Sequence, residues 1–269
     1  MTTNDAASTQ ARKAADFRAL HEGDAFVIPN PWDAGSARVF EALGFKALAT
    51  TSSGFAFTLG RLDGEVTLEE MAGHAGALDR ATDLPVSADL ENGYGPDPGH
   101  AARAIALAAG AGAVGGSIED YDRDGHLYEL RHAADRIAAA AEAARGTGVP
   151  FVLTARAENH IRGNPDLGDT VARLQAYEEA GADVLYAPGL ERIEEIRTVC
   201  TSVSRPVNVL ALGGLTLAEI MDAGAQRVSL GGGLPWVAVA AMATAAGSIL
   251  ETGDLSAMAT EIPLDRWFA

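Results

Sequence analysis

The stretch LPVSADLENGYGPDPGHAARAIALAAGAG, residues 84–112, contains the unit from which the rest of the chain is built. Its first eight residues, 84–91, are a short run of apolar and small residues that ends in acids, as expected of a buried strand. Residues 98–112 follow as an alanine-rich segment with apolar residues at i, i+3 and i+4, which predicts an amphipathic helix ending at glycine. A strand followed by a helix is the repeating unit of a parallel sheet wound with helices.

The same unit recurs eight times from residue 24 onward. The strands are predicted at residues 24–29, 46–53, 84–91, 113–119, 150–158, 182–188, 205–212 and 227–232. Eight strand and helix units in about 250 residues predict an α/β fold, a single (β/α)8 TIM barrel domain over 1–269. Residues 1–22 are expected to form a leading helix and residues 254–269 the tail of a C-terminal helical extension. A doubly wound open sheet is the alternative.

Composition excludes several classes of partner. The chain has 37 acidic and 20 basic residues and a formal charge of -17, which argues against nucleic acid and anionic membranes, since both bind basic faces. The single cysteine, Cys200, permits no intramolecular disulfide and no cysteine metal site, as in a cytoplasmic protein. The first 17 residues contain no apolar stretch of the kind that forms the core of a signal peptide. The stretch VAVAAMATAAGSIL (237–250) is predicted to be too short and too rich in alanine to span a bilayer.

Charged residues mark the predicted strand ends, where barrels have their active sites. The third strand ends in Asp89 and Glu91, which share one face, the fourth in Glu119 and the fifth in Arg156. Carboxylates gathered at a barrel mouth repel one another unless a cation neutralises them, and an all-oxygen set suits Mg²⁺ or Mn²⁺. These acids predict a divalent metal site; the alternative is a set of solvated loop acids.

Other polar residues in apolar surroundings are candidates for substrate binding. Arg156 lies on an otherwise apolar strand and needs an anion, either a substrate carboxylate or Glu158 in an internal ion pair. Asn208, within the apolar PVNVLAL, must find hydrogen bonds inside the barrel and would orient a substrate carboxyl group. The segment TSSGFAFTLGRLDG (51–64) offers hydroxyl groups and backbone N–H donors to a substrate oxyanion.

Two catalytic mechanisms are excluded by the positions of the lysines and the cysteine. Lys46 opens its strand at the opposite face of the barrel and Lys13 lies outside it, so no lysine is available for a Schiff base. Cys200 closes a peripheral helix and offers no thiol catalysis. Glycines follow strands seven and eight, where many barrels bind phosphate, so a barrel that binds a phosphorylated ligand is a further alternative.

The segment IEDYDRDGHL (118–127) resembles half of a calcium loop. Asp120, Asp122, Asp124 and Gly125 match the first half of an EF-hand loop, but Arg131 occupies its twelfth position, where a bidentate glutamate is required. No helical pattern precedes the segment either. An EF-hand is therefore not expected here.

Five motifs together resemble a known superfamily. The chain resembles the isocitrate lyase and phosphoenolpyruvate mutase superfamily in five motifs, which stand in the same order at the ends of successive strands. They are NPWDAGSA (30–37), TSSGFAFTLGRLDG (51–64), ADLENGYG (88–95), SIED (117–120) and ARAE (155–158). The resemblance covers most of the chain. It implies a (β/α)8 barrel, an Mg²⁺ cofactor and an oligomer, commonly a tetramer with exchanged C-terminal helices.

The resemblance also implies roles for particular residues. The metal ligands, directly or through water, would be Asp89, Glu91 and Glu119, although Glu91 departs from the usual aspartate. The candidate catalytic residues are Arg156, Asp63, Glu119 and, on its acid–base chemistry and not on the resemblance, His126. Substrate would be held by Trp32, Ser52, Ser53, Gly54, Asp89, Arg156 and Asn208.

The segment YDRDGHLYEL (121–130) occupies the place of the family's mobile gating loop. Lyases of the family carry a Lys-Lys/Arg-Cys-Gly-His run there, and phosphonate-acting members carry Lys and Asn; this segment has none of Cys, Lys and Asn. His126 is its one evident acid–base candidate, and an exposed loop histidine is the alternative.

These observations predict an Mg²⁺-dependent lyase, with Mn²⁺ as a possible substitute. Its substrate would be a small 2-oxo or 2-hydroxy carboxylic acid, cleaved or formed at the bond next to the oxo or hydroxy carbon through a metal-stabilised enolate. The alternatives are a C–P bond enzyme acting on phosphonopyruvate or phosphoenolpyruvate, and a non-catalytic barrel that binds a 2-oxo acid. The apolar helix PWVAVAAMATAAGSIL and the terminal DRWFA agree with a homo-oligomer, a dimer or a tetramer.

Overall fold

A computed structural model describes residues 3–268 of the chain. It contains eight short parallel strands. They are β1 (Phe26–Ile28), β2 (Leu48–Ala49), β3 (Val86–Asp89), β4 (Gly115–Glu119), β5 (Val152–Arg156), β6 (Val184–Tyr186), β7 (Val207–Leu210) and β8 (Arg227–Ser229). Each lies within the range that the sequence predicts for it.

Helices follow every strand, as the sequence periodicity predicts. The helices of the described residues are α1 (Thr3–Leu20), which precedes the first strand, and then α2 (Ala34–Ala42), α3 (Ser52–Thr58), α4 (Leu68–Ala81), α5 (Pro98–Gly110), α6 (Leu130–Arg145), α7 (Leu167–Glu179), α8 (Ile193–Ser202), α9 (Leu217–Asp222), α10 (Gly233–Thr252) and α11 (Leu264–Trp267), with a 3₁₀ helix at Ser256–Met258. The leading helix expected in residues 1–22 corresponds to α1. Residues 1, 2 and 269, which also fall in the predicted leading helix and tail, lie outside the described residues.

The strands form one sheet that curves into a nearly closed barrel. Its order is β1-β8-β7-β6-β5-β4-β3-β2, and every pair is parallel. The amide of Ala49 donates a 3.0 Å hydrogen bond to the carbonyl of Pro29, which brings the first and last strands of the sheet together. The predicted (β/α)8 barrel is therefore confirmed. The open doubly wound sheet is wrong, because β1 pairs with β8 on one side and its end is hydrogen-bonded to β2 on the other.

The second strand is much shorter than predicted. The sequence suggested a strand over 46–53, but the observed strand ends at Ala49. The Thr51 side chain accepts a hydrogen bond from the amide of Gly54 and caps α3, so Ser52 and Ser53 begin a helix. The hydroxyl residues after β2 therefore stand on a helical turn above the barrel.

The N-terminal end of the barrel is closed by α1. Phe17 is fully buried and packs with residues from the strands, and Gly115 of β4 has no side chain because a Cβ there would lie 2.6 Å from the Phe17 ring. Lys13 is also buried, and its ammonium group donates to the Asp79 carboxylate at 2.6 Å and to the Thr82 carbonyl at 2.9 Å. This cluster leaves the other end of the barrel as the place for ligands.

The helix α10 remains largely uncovered. It has 20 residues, so the expectation that its apolar stretch is too short to cross a membrane is wrong on length. By length and composition alone α10 passes the test for a membrane span, a test that buried helices of soluble proteins also pass. Val237 and Leu250 are exposed on α10, and in the tail the Phe268 ring lies 5.3 Å from the Arg38 guanidinium.

Candidate active site

Two adjoining cavities open at the C-terminal ends of the strands. The barrel cavity, of about 180 Å³, reaches down between the strands, and the loop cavity, of about 400 Å³, lies among the loops after β2, β3 and β4. Ser52, Asp63 and Arg156 line both cavities. Of the other predicted site residues, those in the barrel cavity are Ser53, Asp89 and Asn208, and those in the loop cavity are Glu91 and Glu119.

Arg156, at the end of β5, is the centre of a partly buried ion-pair cluster. Its Nη1 lies 2.9 Å from Asp89 Oδ1, and its Nη2 lies 2.8 Å from Glu119 Oε2. Nη2 and Nε both donate to Glu158 Oε1, at 2.8 and 3.1 Å. The sequence left open whether Arg156 serves a substrate or an internal pair, and in this structure it holds three carboxylates.

The charges in this cluster shift one another's pKa values. Burial alone would lower the pKa of Arg156, but the carboxylates of Glu158, Glu119 and Asp89 outweigh it and hold the pKa well above its usual range. Burial raises the pKa of Glu119, because the ionised form loses hydration and Glu158 and Asp89 repel it. The cluster would therefore accept additional positive charge.

Glu91 occupies a strained position in the loop after β3. Its backbone φ is 47°, in the left-handed region that residues other than glycine rarely adopt. Its Oε2 lies 3.4 Å from Arg123 Nη2, while its Oε1 is buried without a hydrogen-bond partner. Burial, followed by repulsion from Asp89, raises the pKa of Glu91 to about 7. An incompletely bonded buried carboxylate of this kind is typical of a ligand or metal site.

The loop that carries Glu91 is held from below by Arg136. Arg136 is buried in α6, and its guanidinium donates to the carbonyl groups of Asn92, Gly95, Pro96 and Glu119. These bonds satisfy the carbonyls of the tight turn and connect it to the end of β4. The guanidinium therefore fixes the backbone from which Glu91 and Glu119 project.

The acids fit a hard divalent cation in their chemistry. The loop cavity is lined by five carboxyl groups and three guanidinium groups: Asp63, Glu65, Glu91, Glu119 and Asp122 against Arg123, Arg156 and Arg162. With all five acids ionised, as metal binding requires, two negative charges are in excess. Carboxylate oxygens are the ligands that Mg²⁺ and Mn²⁺ prefer. The Oε1 atom of Glu91 accepts no hydrogen bond and is therefore available as a metal ligand in this set.

The predicted cage of Asp89, Glu91 and Glu119 is nevertheless not preformed. Across residues 3–268, no three carboxylate, imidazole or thiol groups lie close enough together to hold a metal. Arg156 holds Asp89 and Glu119, whereas Glu91 contacts Arg123. A cation held by all three acids would therefore require the guanidinium of Arg156 to release its partners.

Asp120, the acid beside Glu119, belongs to the framework. It is buried, and its oxygens accept hydrogen bonds from the amide of Glu158 at 2.8 Å, from Arg173 at 2.9 Å and from the hydroxyl of Tyr177. These bonds join the ends of β4 and β5 to α7. The first residue of the calcium-like motif is therefore a structural group.

His126 lies away from both cavities in this structure. Its side chain is 76% exposed, and its Nδ1 lies 3.7 Å from Asp122 Oδ1 within the turn of its own loop. The loop is instead fastened by Arg123, which contacts Glu91 and the carbonyl of Val66 and stacks on Tyr94. The structure therefore does not place the predicted acid–base histidine at the site.

The segment after β2 is divided between two surfaces. The amide of Ser52 donates to Asp89 Oδ2 at 3.2 Å, so this N–H positions an acid and is not free for a substrate oxyanion. Trp32 and Gly54, predicted to hold substrate, line neither charged cavity but an apolar groove beside α10. Gly54 is required there, because a Cβ would lie 2.6 Å from the Thr51 methyl group and 3.2 Å from Trp32.

Asn208 is part of a buried polar layer that the sequence revealed only in part. Its Nδ2 donates to Ser229 Oγ at 2.9 Å, and its Oδ1 accepts from Arg227 Nε at 2.8 Å. Arg227 was not predicted as a site residue, although a charged residue that opens an apolar strand was a visible signal. Tyr186, on the strand between β5 and β7, lines the same cavity.

A nearly closed (β/α)8 barrel with charged cavities at the C-terminal strand ends is characteristic of TIM-barrel enzymes. The particular family follows from comparison with known sequences. The sequence model of phosphoenolpyruvate phosphomutase matches residues 17–250, and the chain belongs to this family.

Individual relatives agree with this assignment. A structure from Burkholderia cenocepacia J2315, described provisionally as a lyase/mutase, is 49% identical, covers 97% of both chains and has a TM-score of 0.94. A 2-methylisocitrate lyase from Halalkalibacterium halodurans is 32% identical over 82% of this chain and 76% of its own length. The structure of 2,3-dimethylmalate lyase, a PEP mutase/isocitrate lyase superfamily member, is 28% identical over 95% of this chain and 93% of that chain, with a TM-score of 0.85. The predicted superfamily, and with it the prediction of an enzyme, is confirmed.

Proposed function

We propose that this chain is an Mg²⁺-dependent lyase that breaks or forms the C–C bond next to the oxo or hydroxy carbon of a small 2-oxo or 2-hydroxy carboxylic acid. The observation that supports it best is Arg156, a partly buried guanidinium shared by both cavities and surrounded by carboxylates. The names of the relatives, 2-methylisocitrate lyase and 2,3-dimethylmalate lyase, support the same reaction class. Mn²⁺ would serve in place of Mg²⁺ with the same ligands.

Each part of the site has a task in this reaction. Arg156 would bind the substrate carboxylate through its planar fork of donors, and Asn208 would orient a second polar group deeper in the barrel. Asp89, Glu91 and Glu119 would hold the divalent ion, with Asp63 at the boundary of the two cavities. The bound ion would stabilise the negative charge that develops when the C–C bond breaks. His126 would take part only if its loop moved toward the cavities.

A reaction panel tests the proposal directly. The purified protein would be incubated with oxaloacetate, 2-methylisocitrate and 2,3-dimethylmalate, and pyruvate and other 2-oxo products would be measured with Mg²⁺ and with EDTA. We expect turnover of at least one substrate that EDTA abolishes and Mg²⁺ restores. Turnover that continues in EDTA would contradict the role of the metal.

The name of the matched family favours a second candidate, C–P bond chemistry on phosphonopyruvate or phosphoenolpyruvate. The loop of residues 121–130 lacks the Lys and Asn that phosphonate-acting members of the superfamily carry there. We therefore expect no phosphate release from phosphonopyruvate. Phosphate release faster than C–C cleavage of every acid in the panel would reverse this ranking.

We further propose that α10 packs against a second copy of the chain in a cytoplasmic dimer or tetramer. Only 6% of the most apolar 18-residue window of this helix is buried within one chain. The groove lined by Trp32, Phe57 and Pro235 continues this apolar surface beside the active site. The resemblance to a superfamily that exchanges C-terminal helices supports a second copy as the occupant.

A further inference from the structure

Arg227, the first residue of β8, is a second arginine at the barrel cavity and, unlike Arg156, is buried. It is 5% exposed and lines the cavity together with Asn208, Ser229 and Tyr186. The strand register places Arg156, Tyr186, Asn208 and Arg227 in one row across β5 to β8. The two arginines therefore stand at the two ends of one polar layer in the cavity wall.

The hydrogen-bond partners of Arg227 differ in kind from those of Arg156. Its Nε donates to Asn208 Oδ1 at 2.8 Å, its Nη2 donates to Thr154 Oγ1 at 3.0 Å, and its Nη1 lies 3.1 Å from His21 Nε2. Among residues 3–268, no carboxylate forms an ion pair with Arg227. A guanidinium has five N–H donors, so these three contacts leave two unused.

His21 is a neutral partner in this arrangement. Its Nδ1 lies 2.8 Å from the carbonyl of Phe17, so Nδ1 carries the proton and Nε2 accepts from Arg227. Burial, and then the positive charge of Arg227, lowers the pKa of His21 to about 3. His21 cannot compensate the charge of Arg227, because it is an uncharged acceptor.

Arg227 itself keeps its charge near neutral pH. Burial lowers its pKa to about 10, which still lies well above neutrality. A buried cation whose protein partners are all neutral lacks the counter-ion that such groups normally have. At the wall of a ligand cavity, a bound anion is the group that would supply it.

We propose that Arg227 is an anion-binding residue in the wall of the barrel cavity and takes one carboxylate group of the ligand. This inference rests on the proposed function in one respect, because the proposed function assigns the other carboxylate group of the ligand to Arg156. The ligand class that both arginines select together is a short dicarboxylic acid. Arg227 is thereby a specificity-determining residue, since a monocarboxylic acid would leave its charge uncompensated.

His21 allows a test that leaves the cavity wall unchanged, because it does not line the barrel cavity. His21→Glu would supply a carboxylate to Arg227 from outside the cavity, and His21→Gln would supply only a neutral acceptor. Succinate, acetate and chloride would be titrated calorimetrically into each protein in EDTA, after circular dichroism has shown that each is folded. We expect wild type and His21→Gln to bind succinate, and His21→Glu to bind it at least tenfold more weakly.

A second variant covers the case in which His21→Glu does not fold. Arg227→Lys keeps the charge and Arg227→Gln removes it, and we expect succinate binding to survive in the first and to be lost in the second. The proposal would be overturned if folded His21→Glu or folded Arg227→Gln bound succinate as tightly as wild type does. It would also be overturned if wild type bound chloride or acetate as tightly as it binds succinate.

The same titrations separate this inference from the proposed function. Succinate binding that depends on Arg227, in a protein that turns over no acid of the panel, would leave the inference standing and reject the proposed lyase. Turnover of a panel acid that is unaffected in His21→Glu would support the lyase and reject the anion-binding role of Arg227.

Discussion

Arg156 at the end of β5 and Asp89 at the end of β3 form an ion pair of 2.9 Å that spans β4 and lies where the two cavities meet. The pair connects the wall of the barrel cavity to the acids of the loop cavity. A ligand carboxylate that binds Arg156 would compete with Asp89 for the guanidinium. We therefore expect ligand binding at Arg156 and cation binding at Asp89 to favour each other.

Replacing Arg156 tests this coupling. Arg156→Lys keeps one positive charge but loses the fork that now contacts three carboxylates, so we expect kcat/KM on the active panel substrate to fall by about 100-fold or more. The matched control is Arg103→Lys, because Arg103 pairs with Glu69 at the exposed surface. Unchanged kinetics in Arg156→Lys would remove this residue from the site.

Glu91 is predicted to lower stability in the absence of a cation. The pKa of Glu91 is about 7 in the folded protein and about 4.5 in the unfolded chain, so protonation favours the fold, and stability is lost as the pH rises from about 4.5 to 7. Glu91→Gln should therefore be more stable than wild type at pH 8 by about 1–3 kcal/mol and equally stable near pH 4.5.

Urea unfolding in EDTA at the two pH values measures this difference, and the exposed Glu191→Gln is the control. The same Glu91→Gln protein should bind Mg²⁺ at least about tenfold more weakly by calorimetry. A destabilised Glu91→Gln protein with unchanged Mg²⁺ affinity would show that Glu91 is a structural residue.

His74 should make the fold sensitive to acid. It is buried, it stacks on Phe55 with ring centroids 4.0 Å apart, and its Nε2 has no hydrogen-bond partner. Burial lowers its pKa to about 4, so the folded protein keeps it neutral while the unfolded chain binds a proton below about 6.5. Stability from this group is therefore lost as the pH falls from about 6.5 to 4, by up to about 3 kcal/mol.

His74→Phe should keep the ring stack and flatten this part of the pH profile. Denaturant unfolding at pH 7.5 and pH 5 measures the change, and His126→Gln, at an exposed position, is the control that should leave the profile as it is in wild type. Equal loss of stability in His74→Phe and wild type would contradict the assignment.

Charge on α10 should disrupt the proposed assembly. Val237 is 65% exposed in one chain, and Val237→Glu would place a carboxylate in the proposed apolar interface. We expect wild type to sediment as a dimer or tetramer and Val237→Glu as a smaller species. Leu43→Glu, at the exposed C-cap of α2, is the control that should sediment as wild type does. A monomeric wild-type protein would exclude the assembly.

The sequence was most informative where a pattern is local. The predicted strand ranges contain all eight observed strands. This succeeded because the alternation of short apolar runs with amphipathic helices can be recognised from residues that are neighbours in the sequence. The strand after residue 46 was predicted too long, since the helix cap at Thr51 competes with a β-rich composition that reads as extended. Asp89, Glu119 and Arg156 were predicted at cavity-lining positions because a parallel barrel directs all strand ends to one side.

The side-chain partners were beyond the sequence. Nothing local distinguishes Asp120, which is bonded into the framework, from Glu119 beside it, which lines a cavity. His126 resembled a catalytic group by residue type alone, and its position depends on how the loop folds back on itself. Trp32 belonged to a matching motif, yet its ring lies on the apolar groove.

By itself, the sequence determined the barrel, the end at which its charges gather and the family, because hydrophobic periodicity and motif order are properties of short segments. Tertiary structure alone decided which charges are compensated. Arg156 meets carboxylates from three strand ends, whereas Arg227 meets His21, 206 residues away in the chain, and no acid among the described residues. Only the closure and register of the barrel bring such distant side chains into contact, and this geometry distinguishes a neutralised arginine from one that awaits an anion.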